Sequence, residues 1–177
     1  MPRRKLRPEQ IAELSSWVAA YIAEQRGHFA PNARPVTPEH KRLLGPFFPA
    51  DILDQVRVIR GRASEPSFYP KLRAIGIRNA PRFSQMAGIT FQDVVVHVEP
   101  LTEALLFHEL VHAVQYKHLG LQGFAEHYVR GFLRGGSYEE IPLEKQAYEL
   151  EARFAEDRDT GFSVEADVKE RMSTNRF

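Results

Sequence analysis

Apolar positions recur at helical spacing from Pro8 to Arg26, where Ile11, Leu14, Val18, Tyr21 and Ile22 form one stripe of an amphipathic helix. Pro8 suits its first turn and Gly27 its end. Between residues 28 and 50 the prolines 31, 35, 38, 46 and 49 exclude a long regular element. Thr37-Pro38-Glu39 reads as an N-cap followed by proline at the first helical position, which predicts one or two turns up to Leu44. The rest is expected to wrap as loop, tied down by Phe47 and Phe48.

Val56 to Arg60 alternates apolar and basic residues and stops at Gly61, the pattern of a strand with one wet face. Residues 62 to 82 carry Pro66, Pro70 and Pro81 and predict an irregular excursion with a short helical turn near Lys71 to Ala74. Gly88 to Phe91 and Val94 to Val98 read as two short strands joined by a tight turn at Gln92-Asp93. The second leads through Glu99-Pro100 into a half-buried helix that Gly120 should end. Further helical patterns follow at Phe124 to Leu133 and from near Pro142 to about Arg158, the latter with Leu143, Ala147, Leu150 and Phe154 as its stripe. Gly161 breaks it, and Ser163 can cap a short helix in a tail whose last residues are expected to fray.

These elements predict an α+β fold: one domain, with a small antiparallel or mixed sheet packed on the helix after Pro100 and further helices behind it. The divisions fall at 1–49, an N-terminal helix and proline-rich wrap; 50–160, the core; and 161–177, a C-terminal tail. A chain of 177 residues suits a single core. Twenty-four basic against 23 acidic residues leave a net charge of +1, which gives no reason to expect nucleic acid as a partner. The Arg3-Arg4-Lys5 cluster, with Arg7, reads as a solvated terminus. No apolar run is long enough for a membrane span, and the first residues lack the apolar stretch of a secretion signal. The expectation is a cytoplasmic protein without a membrane partner, although a cargo secreted without a cleaved signal would look the same. With no cysteine there is neither a thiolate metal ligand nor a thiol nucleophile.

The helix after Pro100 carries His108-Glu109-Leu110-Val111-His112. Positions i and i+4 share a face, so both imidazoles can reach one ion. His-Glu-x-x-His on a helix is the zinc-protease signature, with histidine ligands and a glutamate that takes a proton from the metal's water. The competing interpretation is a chance pair of core histidines. A buried helix could keep two imidazoles and a carboxylate only if they were satisfied, and a metal would satisfy all three.

Catalytic zinc commonly takes three protein ligands and keeps one open position. Glu144 ranks first as the third: it lies one turn into a new helix, and the small Ala147 on its face permits close approach. Glu151, two turns on, is a second choice or a group behind the ligands, and Glu149 is turned away. His118 has the spacing of a metzincin ligand, but Gln115 stands where that pattern needs a helix-breaking glycine. Glu126 and His127, after Gly123, complete the set of alternatives. His97 reads as a sheet-face residue, while His28 and His40 carry no signal. Tyr128, Tyr138 and Tyr148 are phenols that could steady an oxyanion, Tyr148 being nearest Glu144 in sequence.

Over roughly residues 50 to 155 the chain resembles the small bacterial zincin-like metallopeptidase domains, including a type found in contractile-injection-system proteins. Val56-Arg57-Val58, Gly88-Ile89-Thr90-Phe91, the run from Leu105 to Tyr116, the glycines at 120, 123, 135 and 136, and Pro142 to Tyr148 carry the likeness. Two residues depart from it: Gln146 stands where relatives often have Glu, and Phe107 replaces a commoner alanine. The resemblance implies a gluzincin-like site with His108, His112 and Glu144 as Zn²⁺ ligands and Glu109 as base. The expected activity is hydrolysis of peptide or protein substrates. The alternative is a zinc-stabilised binding or chaperone-like module that cleaves nothing, and a third is hydrolysis of a non-peptide amide. Oligomeric state is not legible.

Overall fold

The computed structural model describes residues 6–98, 100–174 and 176–177; the Arg3-Arg4-Lys5 cluster and Glu99 lie outside the described residues. The fold is α+β, with seven α-helices and one mixed four-stranded sheet among the described residues. In chain order these are α1 (Pro8–Phe29), β1 (Arg34–Pro35), α2 (Pro38–Leu44), α3 (Ala50–Gln55), β2 (Arg57–Arg60) and α4 (Tyr69–Ala74). Then come β3 (Gly88–Phe91), β4 (Val94–His97), α5 (Glu103–Gly135), α6 (Pro142–Glu156) and α7 (Val164–Ser173).

Local chemistry sets most of the helix starts. Thr37 accepts from the His40 amide, Thr102 from Leu105 and Ser163 from Ala166, so hydroxyl caps open α2, α5 and α7. The strands lie in the order β1-β2-β4-β3, with β2 and β4 parallel and the other pairs antiparallel. Gln92, at φ 60°, makes the expected turn between β3 and β4.

Three expectations need correction. First, α1 does not stop at Gly27 but continues to Phe29, whose buried ring stacks 6.5 Å from Phe91. Burying a phenylalanine outweighs the roughly 1 kcal/mol that a mid-helix glycine costs. Second, the proline-rich wrap holds more regular structure than expected. β1 pairs with β2 at the sheet edge, where a proline needs no donor, and α3 buries Ile52 and Leu53.

Gly120 divides α5 as expected: its φ of 67° and ψ of 171° are not helical, and a second helical stretch follows it to Gly135. That conformation is open to glycine and hardly to any other residue. Third, the tail does not fray at its last residue, because Phe177 is buried against the His127 ring.

The first half of α5 is buried on every side rather than on one: all residues from Leu106 to Tyr116 are inside. It packs against α1, β3, α6 and α7, so any polar group on it must find its partners within the protein. Among the described residues no helix is long and apolar enough to cross a membrane.

Candidate metal centre

His108 and His112 leave α5 one turn apart and point their Nε2 atoms at each other across 3.2 Å. Glu144, in the first turn of α6, brings Oε2 to 3.5 Å from His108 Nε2 and 3.3 Å from His112 Nε2. A four-coordinate zinc ion with bonds of about 2 Å separates its ligands by about 3.3 Å, so this triangle has the dimensions of one face of its tetrahedron. All three residues are buried, and they are the described residues whose donor atoms meet as a possible metal site.

Counting protons tests the fit further. His108 Nδ1 lies 2.9 Å from Glu151 Oε2, and His112 Nδ1 lies 2.8 Å from Gln115 Oε1. Glu151 can only accept, so His108 carries its proton on Nδ1. The Gln115 amide is oriented by its Nε2, which donates to the Leu143 carbonyl at 3.0 Å and to Gln146 Oε1 at 3.0 Å. Its oxygen therefore faces His112, and that ring too is protonated on Nδ1. Two imidazole lone pairs and a carboxylate oxygen then converge on one point. Three acceptors this close repel unless a proton or a cation lies among them.

The charge states reflect that demand. Burial opposes a charged His108 ring, but hydrogen bonds to Glu144 and Glu151 and the charge of Glu109 push its pKa up to about 10. His112 is raised against the same burial penalty, chiefly by the charge of Glu144. Burial likewise opposes the Glu144 carboxylate, yet the imidazoles hold it well below the usual carboxylate range. Its place in the first turn of α6 favours negative charge as well. Tyr138 donates to the same Oε2 at 2.6 Å.

Glu109 is buried, and desolvation raises its carboxyl above the usual range. Thr90 of β3 donates to its Oε2 at 2.7 Å, while Oε1 lies over Gly88, where a Cβ would meet it at 2.6 Å. Glycine at 88 thus leaves the Glu109 carboxyl its place, since a Cβ there would push on it and on Leu105. Glu109, His112 and Glu144 line one end of a small cavity of about 40 Å³. Its remaining wall is mostly apolar and aromatic, including Val18, Ile22, Phe83, Phe124 and Tyr128.

The other candidates lie outside the triangle. Glu151 stands behind His108 as the partner of its Nδ1. Glu149 is exposed and ion-paired with Arg171. His118 meets Glu165 at 2.8 Å, Glu126 pairs with Arg130, and His127 abuts Phe177. His97 pairs in register on β4, His40 meets the Thr37 hydroxyl, and His28 lies against Phe29. Of the tyrosines, Tyr138 rather than Tyr148 touches Glu144, whereas Tyr148 lies half exposed with its ring 4.6 Å from that of His108. Sequence reasoning did not identify Thr90, Gly88, Gln115, Gln146 or Asp167. Of these only Gln115 had a local signal, standing one helical turn after His112.

Compared with family models, with curated proteins and with solved structures, the chain matches none.

Proposed function

We propose that this chain is a zinc-dependent peptidase of the zincin-like kind, with His108, His112 and Glu144 holding the ion and Glu109 acting as general base. The observation that carries the reading is the convergence of three buried acceptor atoms, 3.2 to 3.5 Å apart, with the buried carboxylate of Glu109 beside His112 and Glu144 on one cavity. Zn²⁺ is the ion that two imidazoles and one carboxylate at this spacing suit, and when bound it supplies a Lewis acid that makes water acidic and polarises a carbonyl. Glu109 accepts the proton of the attacking water at Oε1, while Thr90 keeps Oε2 fixed. A raised pKa suits that carboxyl to passing the proton on to the leaving amine. The small apolar-walled cavity beside Glu109 has room for about one water and keeps bulk solvent from the carboxylate.

Fluorogenic peptides incubated with zinc-loaded protein, with and without chelator, test the reading. Metal-dependent cleavage is expected, and Glu109→Gln should retain the ion and the fold while losing on the order of 10²- to 10⁴-fold in rate. Equal activity of this variant and the parent would remove Glu109 from the mechanism. The depth at which all four groups are buried favours the second reading, a metal-stabilised binding module. Intact peptides together with a chelator-induced loss of stability would establish that module instead.

A further inference from the structure

The imidazole of His112 is the first member of a hydrogen-bond chain that crosses three helices, and each link of it has a fixed direction. Gln115 Oε1 accepts from His112 Nδ1 at 2.8 Å, and Gln115 Nε2 donates to Gln146 Oε1 at 3.0 Å. Gln146 Nε2 in turn donates to Asp167 Oδ1 at 2.6 Å. Asp167 lies on α7, and its Oδ1 is also 3.5 Å from Arg171 Nε. The carboxylate at the far end can only accept, so it orients the Gln146 amide. Gln146 orients Gln115, and Gln115 leaves His112 no choice but to carry its proton on Nδ1.

Both glutamines are fully buried, and an amide turned the wrong way there would set two acceptors or two donors face to face. Gln115 also grips the Leu143 carbonyl, one residue before Glu144. A single amide therefore adjoins a ligand on α5 and the backbone that delivers the ligand on α6. His108 is held differently, by the partly exposed carboxylate of Glu151.

We propose that Gln115, Gln146 and Asp167 are positioning residues that lock His112 in the tautomer presenting its Nε2 lone pair to the ion, with the lock anchored on the C-terminal helix α7. The inference rests on the metal-centre reading above. It predicts that α7, remote in sequence from the His-Glu-x-x-His segment, determines metal affinity through Asp167.

A charge relocation tests it without a change of shape. Gln146→Leu should weaken Zn²⁺ binding, read by competition with a chromophoric chelator, by about 10- to 100-fold. Gln146→Glu alone places two carboxylates together and should also weaken binding. Adding Asp167→Asn should restore affinity to within a few-fold of the parent, because Glu at 146 still accepts from Gln115 and Asn at 167 donates to it. A packing role would not predict this rescue, since every side chain keeps its size. The second readout is the hydrogen-bonded Nδ1 proton of His112 in the NMR spectrum, expected in the parent with or without zinc and lost in Gln115→Leu.

Two results would overturn the proposal. One is a double variant that binds no better than Gln146→Glu; the other is a His112 Nδ1 proton indifferent to Gln115. A parent that takes up no stoichiometric zinc would instead overturn the metal reading, and the Nδ1 signal of the metal-free protein would still decide the lock.

Discussion

At the residue scale three acceptor atoms meet at a point that protons fill in the metal-free protein and that a cation, on the proposed reading, would take over. In the metal-free protein His108 is raised from 6.5 to about 10, so the stability it contributes is complete below about pH 6.5 and drains away as pH climbs towards 10. Glu144 is depressed from 4.5, so its contribution is present above that value and is lost as pH falls towards its folded pKa. Glu109, raised by burial, begins to lose its contribution as soon as pH rises above 4.5. Urea midpoints of chelator-treated protein should therefore peak between about pH 4.5 and 6.5 and decline to pH 9. With saturating Zn²⁺ this alkaline decline should disappear, because the ion takes the place of the proton that His108 otherwise loses. Parallel curves with and without zinc would mean that the ion binds elsewhere. Thr90 offers a finer test, because its hydroxyl favours the ionised form of Glu109. Thr90→Val should raise the Glu109 pKa further, move the acid limb of kcat/KM to higher pH and cost about 1 to 3 kcal/mol for the unpaired oxygen. An unmoved acid limb would separate Thr90 from the base.

At the element scale the question is what holds α5 and α6 close enough for Glu144 to reach the histidines. Phe107 stacks on Phe154 at 4.5 Å and meets Phe48 edge-on at 4.9 Å, clamping the two helices next to His108. The Phe107 ring is thus a spacer between the helices that carry His108 and Glu144. Phe107→Ala should cost about 3 to 5 kcal/mol in urea unfolding and weaken zinc binding as α6 shifts. Full affinity in a destabilised variant would show that the ring supports the core alone. At the other end of α6, Gly131 lets Pro142 approach to where a Cβ would stand 2.6 Å from its Cδ. The sequence revealed part of this arrangement. His108 and His112 were legible because one helix fixes their relation, and Glu144 because Pro142 marks a helix start and Ala147, fully buried, leaves room on its face. Thr90, Gly88, Gln146 and Asp167 were not, since each acts only once a strand or another helix is docked against it. The break at Gly120 was legible too, because its conformation is open to glycine and hardly to any other residue, although the second helical stretch starts at once at Leu121 rather than near Phe124.

At the scale of the whole molecule, one apolar cluster joins α1, the sheet, α5, α6 and α7. Salt bridges run beside it from Asp51 of α3 through Lys117 of α5 to Glu165 of α7, which Lys117 and His118 hold down at about 2. These surface pairs are individually weak, and the ion would be the strongest single link across the same helices. Because the histidines, Glu144 and the chain ending at Asp167 lie within one cluster, no element should release the metal by unfolding alone. Metal binding should then appear as stability of the whole. Zinc at about a thousand times its dissociation constant should add about 4 kcal/mol to unfolding, and the steepness of the urea transition should not change. Hydrogen exchange should slow in α7 as well as at the site, since Asp167 anchors one ligand's partner chain. Slowing confined to α5 and α6 would mean that the tail helix is docked on the core independently of the ion.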